Sequence, residues 1–143
     1  MTVPVQIDAR GPRFAAWVTA VVLATVLVTQ SGWLLLAQAV VFGLGAWRIT
    51  HAPYGVLFKK VVRPRLAPPR EFEDARPPQF AQAVGLGFAA AGAVALLAGA
   101  TTLGLVLTAA ALSAAFLNAA FGLCLGCEAY LLYKRTTTRG ATA

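Results

Sequence analysis

Two long stretches of the chain contain no charged residue and are mostly apolar: Phe14–Trp47 and Pro77–Cys127. Apolar runs of this length are typical of membrane-spanning helices. As one straight helix, the 34 residues of the first stretch would be roughly 50 Å long, whereas the hydrocarbon core of a bilayer is about 30 Å thick. The second stretch has 51 residues, so we expect each stretch to fold back on itself.

Each apolar stretch contains one turn signal. Gln30, Ser31 and Gly32 interrupt the first stretch, and "AGATTLG" (Ala98–Gly104) interrupts the second. The pattern predicts an all-α integral membrane four-helix bundle built from two helical hairpins, as a single domain over 1–143. The predicted segments are helices at about 12–29, 33–49, 79–99 and 103–133, with a cytoplasmic strap at 50–78. The fourth helix is longer than a bilayer requires, so it tilts, projects into the cytoplasm or breaks near Gly122 and Gly126.

Composition and charge fix the expected orientation. The chain is 59 % hydrophobic and 12 % charged, against about 25 % charged residues in soluble domains. All twelve Lys and Arg lie near the start of the first predicted helix, from the end of the second to the start of the third, or after the fourth. With four spans these places share one side, which the positive-inside rule makes cytoplasmic, together with both termini. The net charge of +7 therefore suits lipid headgroups rather than nucleic acid, and we expect a multi-pass membrane protein.

The segment between the second and third helices is rich in proline and charge. Its acidic residues Glu71, Glu73 and Asp74 lie between Arg70 and Arg76. We expect ion pairs that tie this strap to the base of the bundle, with a docking surface for a soluble partner as the alternative. The motifs "PRFA" and "PQFA" open the two apolar stretches, which is consistent with a duplicated two-helix unit.

The only two cysteines lie near the end of the last apolar stretch, in "CLGCE". In a regular helix, Cys124, Cys127 and Glu128 share one face, and Asn118 lies on roughly the opposite side from Cys127. For Asn118 we expect an interhelical hydrogen bond, with Gln38 as the candidate partner. The cysteine pair could cycle between dithiol and disulfide or carry sulfur as a persulfide, with Glu128 as proton acceptor.

Two other interpretations of the cysteine pair remain open. A zinc site would need two more ligands, and oligomerisation would have to complete the set. In a structural protein the cysteines are small packing residues. A reactive CxxC favours a helix N-terminus, whereas a continuous fourth helix would place the pair towards its C-terminus. A break at Gly122 would remove this objection.

Three segments carry a resemblance to a known family: "DARGPRFAA", "RPRLAPPREFEDARPPQFAQAVG" and "LNAAFGLCLGCEAYLL". The chain resembles an uncharacterised family of small bacterial integral membrane proteins, common in actinobacteria and known only as a domain of unknown function. The resemblance implies the following family positions: Asp8, Arg13, Pro64, Arg65, Glu71, Asp74, Pro78, Phe80, Gln82, Asn118, Cys124, Cys127 and Glu128. It also implies an association with thioredoxin-like and rhodanese-type sulfurtransferase proteins, which favours thiol or sulfur chemistry at Cys124, Cys127 and Glu128. No activity and no cofactor follow from it.

Overall fold

Six α-helices and a two-stranded sheet form the part of the chain that the computed structural model describes, residues 6–48, 51–68 and 72–142. The helices are α1 Arg10–Thr29, α2 Gly32–Trp47, α3 Pro53–Leu57, α4 Arg76–Leu97, α5 Thr101–Phe121 and α6 Leu125–Thr142. The strands are β1 Gln6–Asp8 and β2 Phe72–Asp74. After α3 the chain continues through a π-helical turn and a 3-10 turn to Arg65. The predicted all-α class is confirmed, whereas the small sheet is a feature that the pattern did not predict.

Three helices, α1, α4 and α5, are long and apolar enough to cross a membrane. Helix α2 is also apolar but has only 16 residues, which corresponds to about 24 Å. The first turn lies where the sequence predicts it: Gln30 has a left-handed conformation, and Ser31 accepts a hydrogen bond from the backbone N–H of Leu34 at 3.2 Å. Ser31 is thus the N-cap of α2, a position that serine favours.

The bundle is held mainly by contacts between the two predicted hairpins. Helix α2 packs chiefly on α4, and α1 chiefly on α5, while α1 and α2 contact each other at few residues. A Cβ atom on Gly85 of α4 would lie 2.8 Å from the ring of Phe42 on α2, so this close approach depends on glycine. The core comprises Leu23, Val26, Leu35, Ala39, Phe42, Ala89 and Ala93.

Both halves of the chain repeat the same local structure. In each half, a three-residue strand ends at the sequence D-A-R and leads into a long helix. Asp8 accepts a hydrogen bond from the backbone N–H of Arg10 at 3.0 Å, and Asp74 accepts the equivalent bond from Arg76 at 2.9 Å. The two strands pair antiparallel over three residues, so α1 and α4 start from the opposite ends of one short sheet.

Two further hydrogen bonds bring the other helix ends to the same place. The Arg13 guanidinium on α1 donates to the carbonyl of Ala119 at 3.2 Å, near the end of α5. The Gln79 amide on α4 donates to the carbonyl of Ala46 at 2.8 Å, near the end of α2. The starts of α1 and α4 and the ends of α2 and α5 therefore share one end of the bundle. We call it the basic end, because its described residues include Arg10, Arg13, Arg48, Lys59, Lys60, Arg63, Arg65 and Arg76.

The two D-A-R turns differ in burial, which yields a matched comparison. The side chain of Asp8 is 6 % exposed and that of Asp74 is 30 % exposed. Asp8 lies 2.9 Å from the guanidinium of Arg10 and 3.9 Å from that of Arg63. Hydrogen bonds from Arg10 hold the pKa of Asp8 below its ordinary value, despite the opposing effect of burial.

We predict that Asp8→Asn lowers the free energy of unfolding by about 1–3 kcal/mol, the range for hydrogen bonds to charged groups. Asp74→Asn should cost less, because its ion pair is solvated. The pKa of Asp8 in the unfolded chain is about 4, and it is lower in the folded protein. The ionised carboxylate therefore stabilises the fold fully above about pH 4, and this stabilisation is lost as the pH falls through the folded pKa. Melting curves of both variants and the wild type at pH 7 and in acid provide the measurement. An equal loss from Asp8→Asn and Asp74→Asn would contradict the assignment.

Candidate functional site

The predicted fourth helix is two helices, because the chain turns at Gly122. This residue ends α5 in the left-handed conformation, with φ of 71°, and its N–H donates to the carbonyls of Leu117 and Asn118. Glycine adopts this conformation without the steric cost that other residues pay. Helix α6 then begins at Leu125, so Cys124 is the residue immediately before a helix start.

Cys124 caps helix α6. Its sulfur accepts a hydrogen bond from the backbone N–H of Cys127 at 3.1 Å, and its carbonyl accepts one from Glu128 at 2.9 Å. The Cα atoms of the two cysteines are 5.1 Å apart, and their sulfur atoms are at disulfide-bonding distance. The N–H groups and partial positive charge at a helix N-terminus favour a thiolate. The break therefore gives the pair the position that thiol chemistry requires.

The cysteine pair lines a large cavity of 1380 Å³. Cys124 and Cys127 are both half-buried, and the exposed Glu128 lines the same space. Asn118 of α5 lines it as well. The prediction that Asn118 and Cys127 lie on opposite sides assumed a regular helix through Gly122, and the chain breaks there.

Gln38, the predicted hydrogen-bond partner of Asn118, bonds to another residue instead. Gln38 accepts a hydrogen bond from the hydroxyl of Tyr54 at 2.6 Å, and the other atom of its amide, Nε2, is buried without a partner among the described residues. Gln82 of α4 lines the cavity and packs against Gly45, where an added Cβ would lie 2.8 Å from its Oε1. Asn118 and Gln82 thus face one space from two different helices.

The remaining predicted polar positions lie around the basic end. Asp74 forms an ion pair with Arg76 and also lines the cavity, whereas Arg65 is exposed. Glu71 and the side chain of Glu73 lie outside the described residues. Sequence reasoning named Asp8 as a family position but missed its ion pairs with Arg10 and Arg63, although the repeated D-A-R sequence was a usable signal. Lysines 59 and 60 and Arg63 add positive charge to the cavity lining.

Helix α6 approaches α4 closely just inside the CxxC motif. A Cβ atom on Gly126 would lie 2.6 Å from the Cβ atom and 2.7 Å from the Cα atom of Ala81. Distances this short do not occur between packed carbon atoms, so Gly126 allows the CxxC turn to rest directly on the α4 backbone.

The described residues do not provide a set of metal ligands around the cysteine pair. Within residues 6–48, 51–68 and 72–142, no group of three or more His, Cys, Asp or Glu side chains is placed to hold an ion. Two cysteines alone supply half of the usual zinc ligands. A metal ion bound by Cys124 and Cys127 would need its other ligands from outside the described residues.

The fold and the site together define a class: small proteins of long apolar helices, with a cysteine pair at a helix start beside a cavity. Residues 7–135 match the family model described as a domain of unknown function, DUF4395. Because the match covers most of the chain, this protein belongs to that family. No curated protein and no solved structure matches it.

Proposed function

We propose that the protein is a multi-pass protein of the bacterial inner membrane, with α1, α2, α4 and α5 as its four spans. Large apolar side chains point outward along these helices: Val28 is 84 % exposed, Val94 is 66 % exposed and Val106 is 59 % exposed. Apolar surface of this kind is unusual on soluble monomers and suits lipid. Exposed tryptophans lie at both ends of α2, Trp33 and Trp47, as in interfacial aromatic belts.

The basic end is the cytoplasmic side in this proposal. Its described residues carry a clear excess of Lys and Arg, whereas the turns at residues 30–31 and 98–100 carry no charge. The positive-inside rule then orients both termini towards the cytoplasm. The CxxC turn lies at the same end, so soluble cytoplasmic proteins can reach it.

Reporter fusions test this topology. Fusions at Pro68 and after Ala143 should be active only with a cytoplasmic reporter, and a fusion at Ser31 only with an external reporter. The physical reason is the cost of moving the arginine- and lysine-rich segments across the bilayer. An external signal at Pro68 would contradict the four-span arrangement.

We further propose that the cysteine pair performs thiol–disulfide exchange with a soluble thioredoxin-like partner that carries two thiols. The observation that carries this proposal is the position of Cys124, which caps α6 beside an accessible cavity. A thiolate of the reduced partner attacks the Cys124 sulfur of the disulfide, forms a mixed disulfide and releases the Cys127 thiolate. The second thiol of the partner then attacks the partner's sulfur in the mixed disulfide and releases the Cys124 thiolate. The partner is now a disulfide, and Cys124 and Cys127 are a dithiol. Glu128 exchanges protons with Cys127.

A redox titration of the purified protein in nanodiscs tests this function. Samples are equilibrated with mixtures of reduced and oxidised dithiothreitol, alkylated and weighed by mass spectrometry. We expect one reversible transition in which the chain gains two alkyl groups, because both thiols form together. A species heavier by one sulfur atom would instead support sulfur transfer, and stoichiometric metal with no transition would support a metal site. A pair that stays reduced under every condition would leave only a structural role.

A further inference from the structure

The cavity beside the cysteine pair extends well into the bundle. Its lining includes Thr19 of α1, Phe88 of α4 and Ala110 of α5, in addition to the residues at the basic end. From Ala110 to Phe121, α5 rises about 16 Å. The inner lining is mostly alanine, glycine and phenylalanine. The cavity therefore leads from the CxxC turn into the apolar depth of the spans, and its volume exceeds the ~300–1,000 Å³ of typical small-molecule sites.

Two amide side chains in this apolar lining have no hydrogen-bond partner among the described residues. In the described part of the chain, no hydrogen bond joins the side chain of Asn118 or of Gln82 to another residue. Polar side chains within membrane helices are costly unless a partner satisfies them. Their position indicates a ligand with an apolar body and hydrogen-bonding groups close to the cysteine pair.

The electrons that the cysteine pair receives must leave it again, and this requirement restricts which ligands can bind in the cavity. The chain has only Cys124 and Cys127, so no second cysteine pair can pass electrons onward. Each exchange with a reduced partner leaves the pair as a dithiol. The oxidant must reach these two sulfurs itself, and the cavity extends from them along the apolar faces of α1, α4 and α5. The ligand must accept two electrons and two protons and dissolve in lipid.

We propose that the cavity binds an isoprenoid quinone, which reoxidises the cysteine pair; this inference rests on the thiol–disulfide exchange proposed above. In this step the thiols of Cys124 and Cys127 lose two protons and two electrons, and the S–S bond forms. The quinone takes up the two protons and the two electrons, so that its two carbonyl oxygens become the hydroxyls of a quinol. Asn118 and Gln82 donate hydrogen bonds to the carbonyl oxygens, and Glu128 relays a proton from the thiols.

The test uses the full chain in lipid nanodiscs with its cysteines reduced and excess reductant removed. The oxidant is decylubiquinone, whose ring is fully substituted and cannot add a thiol. We expect one quinol per chain, with the pair recovered as a disulfide, and no quinol from Cys124→Ser. If oxidised glutathione converts the pair but decylubiquinone does not, the quinone proposal is overturned and the exchange function stands. If neither oxidant converts the pair, the exchange function fails as well.

Variants locate the quinone in this cavity. Ala115→Phe fills the cavity wall one turn deeper than Asn118 and should lower quinone reduction and photolabelling by an azidoquinone about tenfold. Ala109→Phe is the matched control, because Ala109 is exposed and outside the lining. Asn118→Leu and Gln82→Leu should each slow oxidation of the cysteine pair by decylubiquinone about threefold to tenfold, relative to its oxidation by oxidised glutathione. Equal labelling of the Ala115→Phe and Ala109→Phe variants, with both folded by melting curves, would overturn the site.

Discussion

Cys124→Ser is expected to abolish rapid reaction of the reduced protein with a soluble disulfide, whereas Cys127→Ser should retain it. Cys124 lies ahead of α6, where the free N–H groups stabilise a thiolate, and Cys127 lies inside the first turn. The remaining thiol in the Cys124→Ser variant should react slower by about tenfold or more, since an ordinary cysteine is only a few per cent thiolate at pH 7. Stopped-flow measurement with an aromatic disulfide gives both rates.

The two variants also differ in their products. Wild-type protein should release both halves of the reagent, because Cys127 attacks the mixed disulfide on Cys124. The Cys127→Ser variant should stop at the mixed disulfide, since serine cannot displace it. Equal rates and equal products from the two single-cysteine variants would show that the helix start does not distinguish the thiols.

Gly126→Ala is expected to displace the CxxC turn from α4 and to lower the free energy of unfolding by about 1–3 kcal/mol, the usual cost of overpacking. The added methyl group would meet Ala81 at 2.6 Å from its Cβ atom and 2.7 Å from its Cα atom. Since a backbone atom cannot rotate away, α6 itself has to move. We therefore also expect a slower closure of the disulfide, measured by thiol labelling after addition of a mild oxidant.

Gly87→Ala is the matched control for this substitution. Gly87 lies within α4, and an added Cβ atom there would meet no heavy atom within 4 Å. The change should be neutral or stabilise the protein by up to about 1 kcal/mol, because alanine favours a helix. Ala81→Gly in the Gly126→Ala background should restore part of the stability, since it removes one of the two close atoms. Unchanged stability of Gly126→Ala would show that the approach of α6 to α4 is looser than described.

The pattern of apolar residues predicted most of the helical structure. The turn at Ser31 lies where the polar residues Gln30 and Ser31 interrupt the first apolar stretch, and α4 ends at Leu97, immediately before the predicted "AGATTLG" segment. These features are local, since a few polar or small residues decide where a long apolar helix stops. The sequence also left open a break at Gly122, which the structure contains.

The contacts between helices could not be predicted in the same way. These helices are largely apolar all round, so no polar face indicates that α1 packs on α5 and α2 on α4. The pairing of β1 with β2 joins two three-residue segments that are more than sixty residues apart, and strands this short carry almost no pattern. The place of Asn118 relative to the cysteines could not be predicted either, because it depends on the turn at Gly122.

Trapping of a mixed disulfide tests the central claim most directly. A soluble thioredoxin-like protein that lacks its resolving cysteine, activated as an aromatic mixed disulfide, is added to the Cys127→Ser and Cys124→Ser proteins in nanodiscs. The Cys127→Ser protein should form a covalent one-to-one complex through Cys124, which mass spectrometry maps to the CxxC peptide and which reductant reverses. A complex that fails to form with Cys127→Ser, while a small aromatic disulfide still modifies Cys124, would contradict exchange with a soluble partner.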